Sequence, residues 1–310
     1  MSTAKSLRTD PDLPQELKDA ALNGKLVLFV GAGASMLVGM PSWWDLASKA
    51  LQELVEIDAI NYAELEQLRK LPDPKKQLSI ADIIAKENGY VLDHARHLKA
   101  KSDSSIYKSI NSIGAACVTT NYDHELKPES LESIPDNQAK PQVKRVSGAD
   151  NLNAADLKDL GTVFHLHGDM LQPETMVVTT RDYLAHYDNK NVQFFLSELF
   201  SHNVVLFIGY GLEEAEILEH ILRRSNVREE TENRRRFLLQ PFFHSEQRLY
   251  EYLIEYYKKS FGVHMIGYPR DFKDYKQIEK IMADWARELE VRPTASVDEI
   301  ADIDRILINE

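Results

Sequence analysis

The chain has 310 residues, with 37 basic and 49 acidic side chains and a formal net charge of −12. Such a surface does not attract nucleic acid over long range, so direct nucleic-acid binding is not expected. No apolar stretch approaches the roughly 18 residues that a membrane-spanning helix needs, and the first residues lack the apolar core of a signal peptide. The sequence therefore predicts a cytoplasmic protein without membrane contact.

Short apolar runs rich in β-branched residues alternate with helical segments along most of the chain. This alternation predicts an α/β fold, namely a Rossmann-like, doubly wound, mainly parallel sheet covered on both faces. Strands are predicted at residues 25–30, 115–119, 142–146, 163–166, 204–208, 236–241 and 263–267. Helices are predicted at residues 42–55, 103–113, 191–201, 213–224, 246–259 and 275–290.

The alternation is interrupted at residues 57–100, which consist of polar, helix-forming segments and predict an inserted small helical module. Residues 1–56 and 101–290 then form the catalytic domain. Residues 291–310 form a C-terminal tail segment, acidic with apolar residues at helical spacing. An isolated helix of this length is marginal in water, so the tail is expected to pack on the body or on a partner.

The first predicted strand, LVLFV, leads directly into Gly31 and Gly33. Glycines at this place let backbone N–H groups approach phosphate oxygens, and a following helix N-terminus favours negative charge. A plain tight turn between strand and helix is the alternative. The third glycine of the dinucleotide fingerprint would fall near Met36, and the chain continues instead with Ser35 and the segment GMPSW.

The run GAGAS followed by GMPSW resembles the phosphate loop of the sirtuin (silent information regulator) family. Three further motifs follow in the order of that family: VTTNYD at residues 118–123, VFHLHGD at residues 163–169 and VLFIGYGL at residues 205–212. Each motif is short, but four in the right order identify the chain as similar to sirtuins.

In a doubly wound sheet, ligands lie beyond the carboxyl ends of the strands, where all four motifs fall. The resemblance implies that this crevice binds NAD+ as a substrate. The pyrophosphate would lie on the first loop and the adenosine end at the last one. The cofactor-binding residues so implied are Gly31, Ala32, Gly33, Ser35, Gly209, Tyr210 and Gly211, with Asp123 near the nicotinamide.

Three residues carry the implied chemistry. His167 would deprotonate the acceptor, because imidazole titrates near neutrality. Asn121 would position a ribose hydroxyl and an attacking water, since it is an uncharged donor and acceptor. Asp123 would accept a hydrogen bond from the nicotinamide carboxamide. The alternatives are a structural histidine, a strand-end turn residue and the N-cap of a following helix.

Departures from the sirtuin pattern indicate which molecule would accept the ADP-ribose group. Cys117 is the only cysteine, so the four-thiolate zinc module of the deacylating sirtuins cannot form. His165 is expected to point the same way as His167, but no third ligand stands at suitable spacing, so no metal is expected. Trp43 and Trp44 stand where the deacylases have Phe-Arg. The chain thus looks closer to the bacterial sirtuin-like NAD hydrolases of antiphage defence, with water as acceptor.

The resemblance implies an NAD+ glycohydrolase that releases nicotinamide and ADP-ribose as an abortive-infection effector. Transfer or cyclisation of ADP-ribose by the same residues is one alternative, and a non-catalytic NAD- or ADP-ribose-binding module is another. Because an unregulated NADase is toxic and no sensor is recognisable in the sequence, a homo-oligomer activated by a partner is expected. The resemblance suggests a HerA-type hexameric ATPase or another defence sensor protein.

Overall fold

The computed structural model describes residues 10–100, 104–128, 143–211, 217, 235–271, 276–289 and 291. Seven strands form one sheet in the order β3-β4-β2-β1-β5-β6-β7, and every neighbouring pair is parallel. The strands are β1 (Leu26–Val30), β2 (Ala116–Thr119), β3 (Arg145–Ser147), β4 (Val163–His165), β5 (Val204–Ile208), β6 (Arg236–Phe242) and β7 (Val263–Pro269). The predicted Rossmann-like parallel sheet is confirmed, with each predicted strand present and only its ends shifted.

Helices pack on both faces of this sheet. The α-helices among the described residues are α1 (Gln15–Leu22), α2 (Ala32–Leu37), α3 (Trp43–Glu56), α4 (Tyr62–Leu68), α5 (Pro74–Glu87), α6 (Ser105–Ile113), α7 (Thr180–Asp188), α8 (Lys190–His202), α9 (Gln247–Phe261) and α10 (Gln277–Glu288). Short 3-10 turns lie at His94–His97, Ala149–Asn151, Ala154–Lys158, Pro173–Thr175 and His244–Glu246.

The sequence patterns do not predict α1 or α7, and they indicate a helix start after the glycines without giving α2 a range. Because α2 begins at Ala32, the segment expected to be a glycine loop is the first turn of a short helix whose N-cap is Gly31. The predicted helix at residues 213–224 lies outside the described residues except for Ile217, which is helical. The tail lies outside them except for Val291.

Strand alternation divides the core into two layers, one on each face of the sheet. On β1, Leu26, Leu28 and Val30 join the layer that contains α1, α6 and α10, whereas Val27 and Phe29 join the layer that contains α8 and α9. Every residue of β1 is at most 2% exposed. An apolar strand buried on both faces is what a doubly wound sheet requires of its centre.

Residues of the predicted helical module pack on α3. Leu65 of α4 and Leu78 of α5 share one apolar cluster with Leu51 of α3. The start of α3 is fixed by a reciprocal cap, in which the Ser42 Oγ accepts from the Asp45 N–H and the Asp45 carboxylate accepts from the Ser42 N–H (3.0 Å). The division of the chain at residues 56 and 101 stays a prediction.

Candidate active site

The sheet order reverses between β1 and β5, the place where open parallel sheets bind ligands. The segments that follow these two strands pack directly against each other. The Gly33 N–H donates to the Gly209 carbonyl oxygen (2.8 Å), and the Gly31 N–H donates to the Ile208 carbonyl oxygen (2.9 Å). In this conformation both N–H groups are therefore bonded within the protein and do not face a phosphate, as the glycine pattern had predicted they would.

Glycine is required at this contact because the two backbones leave no room for a side chain. A Cβ atom at Gly31 would lie 2.6 Å from a ring carbon of Tyr210, and one at Gly33 would lie 2.8 Å from the Gly209 carbonyl oxygen. Gly209 has a φ of +61°, and a Cβ atom there would lie 2.6 Å from the Ala34 nitrogen. The glycines of two motifs, far apart in sequence, thus meet in space.

An open groove of about 800 Å³ runs along this edge of the sheet. Such a volume is typical of sites for small molecules and cofactors. The predicted residues Ala32, Gly33, Gly209, Tyr210 and Gly211 line it. Trp43 and Trp44, which replace the Phe-Arg of deacylating sirtuins, line it as well.

Two cationic residues outside the four motifs also line the groove. Lys75 comes from the first turn of α5, and Arg270 directly follows β7. The Lys75 ammonium lies 3.9 Å from the ring centroid of Tyr183, and the Arg270 guanidinium lies 3.9 Å from that of Phe243. They bring positive charge to a groove in a protein that is acidic overall. Neither Lys75 nor Arg270 belongs to one of the four motifs. Their place at this edge of the sheet is therefore visible only in the folded structure.

A small cavity of about 40 Å³ adjoins the groove, and Ala32, Ser42, Trp43 and Thr120 line both. The predicted residues at its other walls are Ser35, Asn121 and Asp123. In this conformation the cavity has room for little more than a water molecule or two. A nicotinamide ring would have to widen it.

Ser35 and Asp123 lie in direct contact at this cavity, both buried. The Ser35 hydroxyl donates to Asp123 Oδ2 (2.6 Å) and lies 2.9 Å from the Tyr107 hydroxyl of α6. Burial, and then the nearby charge of Asp123, raise the pKa of Tyr107 well above its usual value. Asp123 does not cap a helix; its Oδ1 accepts from the Glu125 N–H (3.0 Å) in a turn. The N-cap alternative is therefore wrong.

Asn121 connects the ends of two neighbouring strands. Its side-chain Nδ2 donates to the Gly31 carbonyl oxygen (2.9 Å), while its backbone N–H donates to Thr119 Oγ1 (3.0 Å). The Thr119 hydroxyl in turn donates to the Val30 carbonyl oxygen (2.8 Å). Asn121 is 7% exposed and lines the small cavity, so the side chain is held at the junction of β1 and β2.

His167 lies apart from both cavities and is fully buried. Its Nε2 lies 2.8 Å from the Tyr187 hydroxyl, and its Nδ1 lies 3.4 Å from the Tyr183 hydroxyl, both on α7. Burial, followed by the charges of His186 and Lys75, holds the pKa of His167 well below its usual value. The ring is therefore neutral at pH 7, and Tyr183, which does line the groove, lies against it.

The two histidines of the Leu-His-Gly segment occupy different environments. β4 ends at His165, so strand alternation does not extend to His167, and the expectation that both point the same way is wrong. His165 Nδ1 lies 3.1 Å from the Asn121 carbonyl oxygen, and its ring lies 5.5 Å from that of His124. His124 Nε2 lies 2.6 Å from Asp169 Oδ1. The fold thus brings His124 and Asp169, which the sequence spacing did not suggest, close to His165.

Residues 115–266 match the family described as SIR2-like domain. This part of the chain is therefore similar to a SIR2-like domain. The match covers three of the four sirtuin-like motifs, whereas the Gly31 segment precedes it. Defense-associated sirtuin 2 of Bacillus subtilis is 28% identical over 213 residues, which cover 66% of this chain and 19% of that protein. The aligned part thus corresponds to about a fifth of the length of that relative.

The same comparisons confirm the resemblance to sirtuins that the motifs carry. Among the residues that the structure describes, we find no helix with the length and apolar character required to cross a membrane.

Proposed function

We propose that the chain hydrolyses NAD+ to nicotinamide and ADP-ribose. The observation that carries this proposal is the groove at the topological switch point, which adjoins a small cavity lined by Ser35, Asn121 and Asp123. A dinucleotide has the same organisation, with a long phosphate-linked body and a small ring at one end. The SIR2-like domain supports NAD+ as the substrate.

In this proposal the groove holds the ADP-ribose part of NAD+. Gly33 and Ala32 line one wall and residues 209–211 the other, and Lys75 and Arg270 lie where they could neutralise the pyrophosphate. Asp123 accepts from the carboxamide N–H of nicotinamide in place of the Ser35 hydroxyl.

Asn121 orients the attacking water. The C1′–N bond of the nicotinamide ribose breaks with its electron pair on the leaving nicotinamide, water forms the new C1′–O bond, and His167 takes the water proton.

The described conformation is closed with respect to this chemistry. His167 can act as the base only when the Tyr183 ring leaves its position between the imidazole and the groove. We infer that α7 moves on activation, and that a partner or homo-oligomer formation drives this movement. The name of the B. subtilis relative supports a role in antiphage defence, where such an enzyme must be held inactive until needed. A HerA-type ATPase or another sensor protein remains the partner class to test, and the cytoplasm the expected location.

The burial of His167 favours one second candidate, a module that binds NAD+ without cleaving it. Both imidazole nitrogens lie near tyrosine hydroxyls, an arrangement that a purely structural histidine would also show. No observation on the described residues favours transfer or cyclisation of ADP-ribose over hydrolysis.

The test is incubation of the purified full chain with NAD+, read by chromatography of nicotinamide and ADP-ribose. Tyr183→Ala should raise turnover at least tenfold, because it uncovers the imidazole. His167→Gln should abolish turnover in both backgrounds, since loss of a general base costs about 10²–10⁴-fold.

Tyr187→Phe is the matched control, because it removes a hydrogen bond of His167 without opening the groove, and it should not raise turnover. NAD+ binding by calorimetry with no cleavage in either wild type or Tyr183→Ala would favour the binding module. Cleavage that persists in His167→Gln would exclude His167 as the base.

A further inference from the structure

We propose that His124, His165 and Asp169 form a site for one divalent transition-metal ion such as Zn²⁺. One ligand atom from each residue lies within 4.8 Å of the others, at the carboxyl ends of β2 and β4. His165 and Asp169 are at most 2% exposed, and the His124 side chain is 25% exposed, so the site opens to solvent on the His124 side. The site is independent of the four-cysteine zinc module, and its test does not require NAD+ cleavage.

His165 presents a lone pair to this site. Its Nδ1 lies 3.1 Å from the Asn121 carbonyl oxygen, which can only accept a hydrogen bond, so Nδ1 carries the proton. In the neutral ring, a proton on Nδ1 leaves Nε2 unprotonated. This Nε2 is buried and has no hydrogen-bond partner among the described residues. A backbone carbonyl on one ring nitrogen and an open lone pair on the other is the usual state of a metal-binding histidine.

Asp169 is held in position by the backbone. Its Oδ1 accepts from the Leu171 N–H (2.7 Å), and its own N–H donates to Thr175 Oγ1 (3.1 Å). The two strand-end segments are joined by the Met170 N–H, which donates to the Tyr122 carbonyl oxygen (3.0 Å). A carboxylate fixed by a neighbouring N–H, with both segments already joined, provides a largely preformed ligand set.

The donor set fits a small transition-metal ion. Two imidazoles and one carboxylate bind catalytic zinc in other proteins, with bonds of about 2.0–2.2 Å and hence ligand atoms roughly 3.3 Å apart at tetrahedral angles. His124 Nε2 and Asp169 Oδ1, now 2.6 Å apart, would separate slightly, and His165 Nε2 would move closer. A solvent molecule would complete the coordination on the exposed side.

A proton is the competing occupant of the site. A protonated His124 would form an ion pair with Asp169 and leave the lone pair of His165 unused. Arg145 on β3 lies close enough to interact electrostatically with Asp169 and Asp123. The negative charges of these two carboxylates offset the positive charge of the guanidinium. The buried, unpartnered Nε2 of His165 favours the metal over the proton, because an ion pair alone gives no reason for that atom to face the other two.

The ion would act through Asn121. Because His165 Nδ1–H bonds the Asn121 carbonyl oxygen, a metal on Nε2 would fix the peptide that carries this cavity-lining side chain. It would also join the segment after β2 to the segment after β4. We therefore expect metal binding to raise the melting temperature of the full chain.

The experiment is a titration of the chelator-treated full chain with Zn²⁺ by calorimetry, and with Co²⁺ by visible absorption. We expect one ion per chain, an intense d–d spectrum of four-coordinate Co²⁺ and a higher melting temperature with Zn²⁺. His165→Gln and Asp169→Asn should each weaken binding at least tenfold and abolish the thermal shift.

His244→Gln is the matched control. His244 Nδ1 lies 2.6 Å from Asp271 Oδ2, the same separation as in the proposed site, but no third ligand joins this pair in the part of the chain that the structure describes. The His244→Gln variant should bind metal as the wild type does. Because His165→Gln changes a buried position, His124→Gln at the partly exposed ligand is the second variant, and it too should weaken binding. Absence of saturable one-to-one binding in the wild type, or wild-type affinity in both His165→Gln and His124→Gln, would overturn the proposal.

Discussion

The two halves of the strand-end edge are built in different ways. Where β1 meets β5, backbone contacts backbone, and Gly33 and Gly209 touch with no space for a Cβ atom. Where β2 meets β4, buried side chains contact one another and each histidine has partners from elsewhere in the chain. The first half admits almost no change of shape, whereas the second is built from side chains, among them Tyr183 on α7, whose movement we propose. We infer that the glycine half fixes the shape of the groove, whereas the side-chain half controls whether the protein is active.

The largest expected effect is at the glycine half. Gly209→Ala places a Cβ atom 2.6 Å from the Ala34 nitrogen, so the two loops must separate. We expect the variant to lose at least about 3 kcal/mol of unfolding free energy or to fail to fold, since overpacking a rigid contact is costly. Chemical denaturation followed by circular dichroism measures this.

Gly89→Ala is the matched control for that substitution. Gly89 has a similarly positive φ of +70°, but nothing lies within 4 Å of an added Cβ atom. Its cost should be only the left-handed backbone strain, about 1–2 kcal/mol. Equal losses in the two variants would mean that strain alone, and not the loop contact, makes Gly209 necessary.

This contrast also explains what the sequence could predict. The strands and the glycine contact follow from local patterns, because apolar runs and glycines specify backbone geometry by themselves. The partners of the polar side chains do not, because Tyr107, Tyr183 and Asp169 reach the site from three separate segments. The helix α7 was not predicted for a related reason. Thr180–Asp188 has mixed polarity, and only the contact with His167 in the fold shows that its tyrosines are buried.

The next largest effect is expected on turnover at Asn121. If Asn121 positions water at the transition state, Asn121→Ala should lower kcat about 100-fold while changing NAD+ affinity much less. Asn121 Nδ2 also donates to the Gly31 carbonyl oxygen at the edge of the groove, so the variant should lose some affinity for NAD+ as well. Steady-state kinetics and calorimetry separate the two.

Asn153→Ala, at an exposed asparagine outside both cavities, is the control and should leave both quantities unchanged. Lost binding with normal turnover at saturation would assign Asn121 to affinity alone.

A smaller effect is expected from the pair Ser35 and Asp123. Asp123→Ala leaves the Ser35 hydroxyl and the Glu125 N–H without their acceptor in a buried place, which should cost about 2–3 kcal/mol. Tyr107→Phe removes one hydroxyl but keeps the Ser35–Asp123 bond, so about 1 kcal/mol is expected. Denaturation midpoints rank the two variants. If Tyr107→Phe were the more damaging, the Tyr107 hydroxyl and not the carboxylate would be the centre of the cluster.

The last effect depends on pH and concerns the side-chain half. Burial lowers the pKa of His186, beside His167, to about 4, against about 6.5 for an unfolded chain. The unfolded state therefore binds more protons between these values, and the free energy of unfolding should fall as pH decreases from about 6.5 to about 4, by at most about 1.4 kcal/mol per pH unit for this group. His186→Gln should flatten the dependence in that window, whereas His202→Gln, at an exposed histidine, should keep it. Parallel curves for wild type and His186→Gln would mean that the imidazole is not held neutral by burial, and that α7 is less tightly closed over His167 than this structure implies.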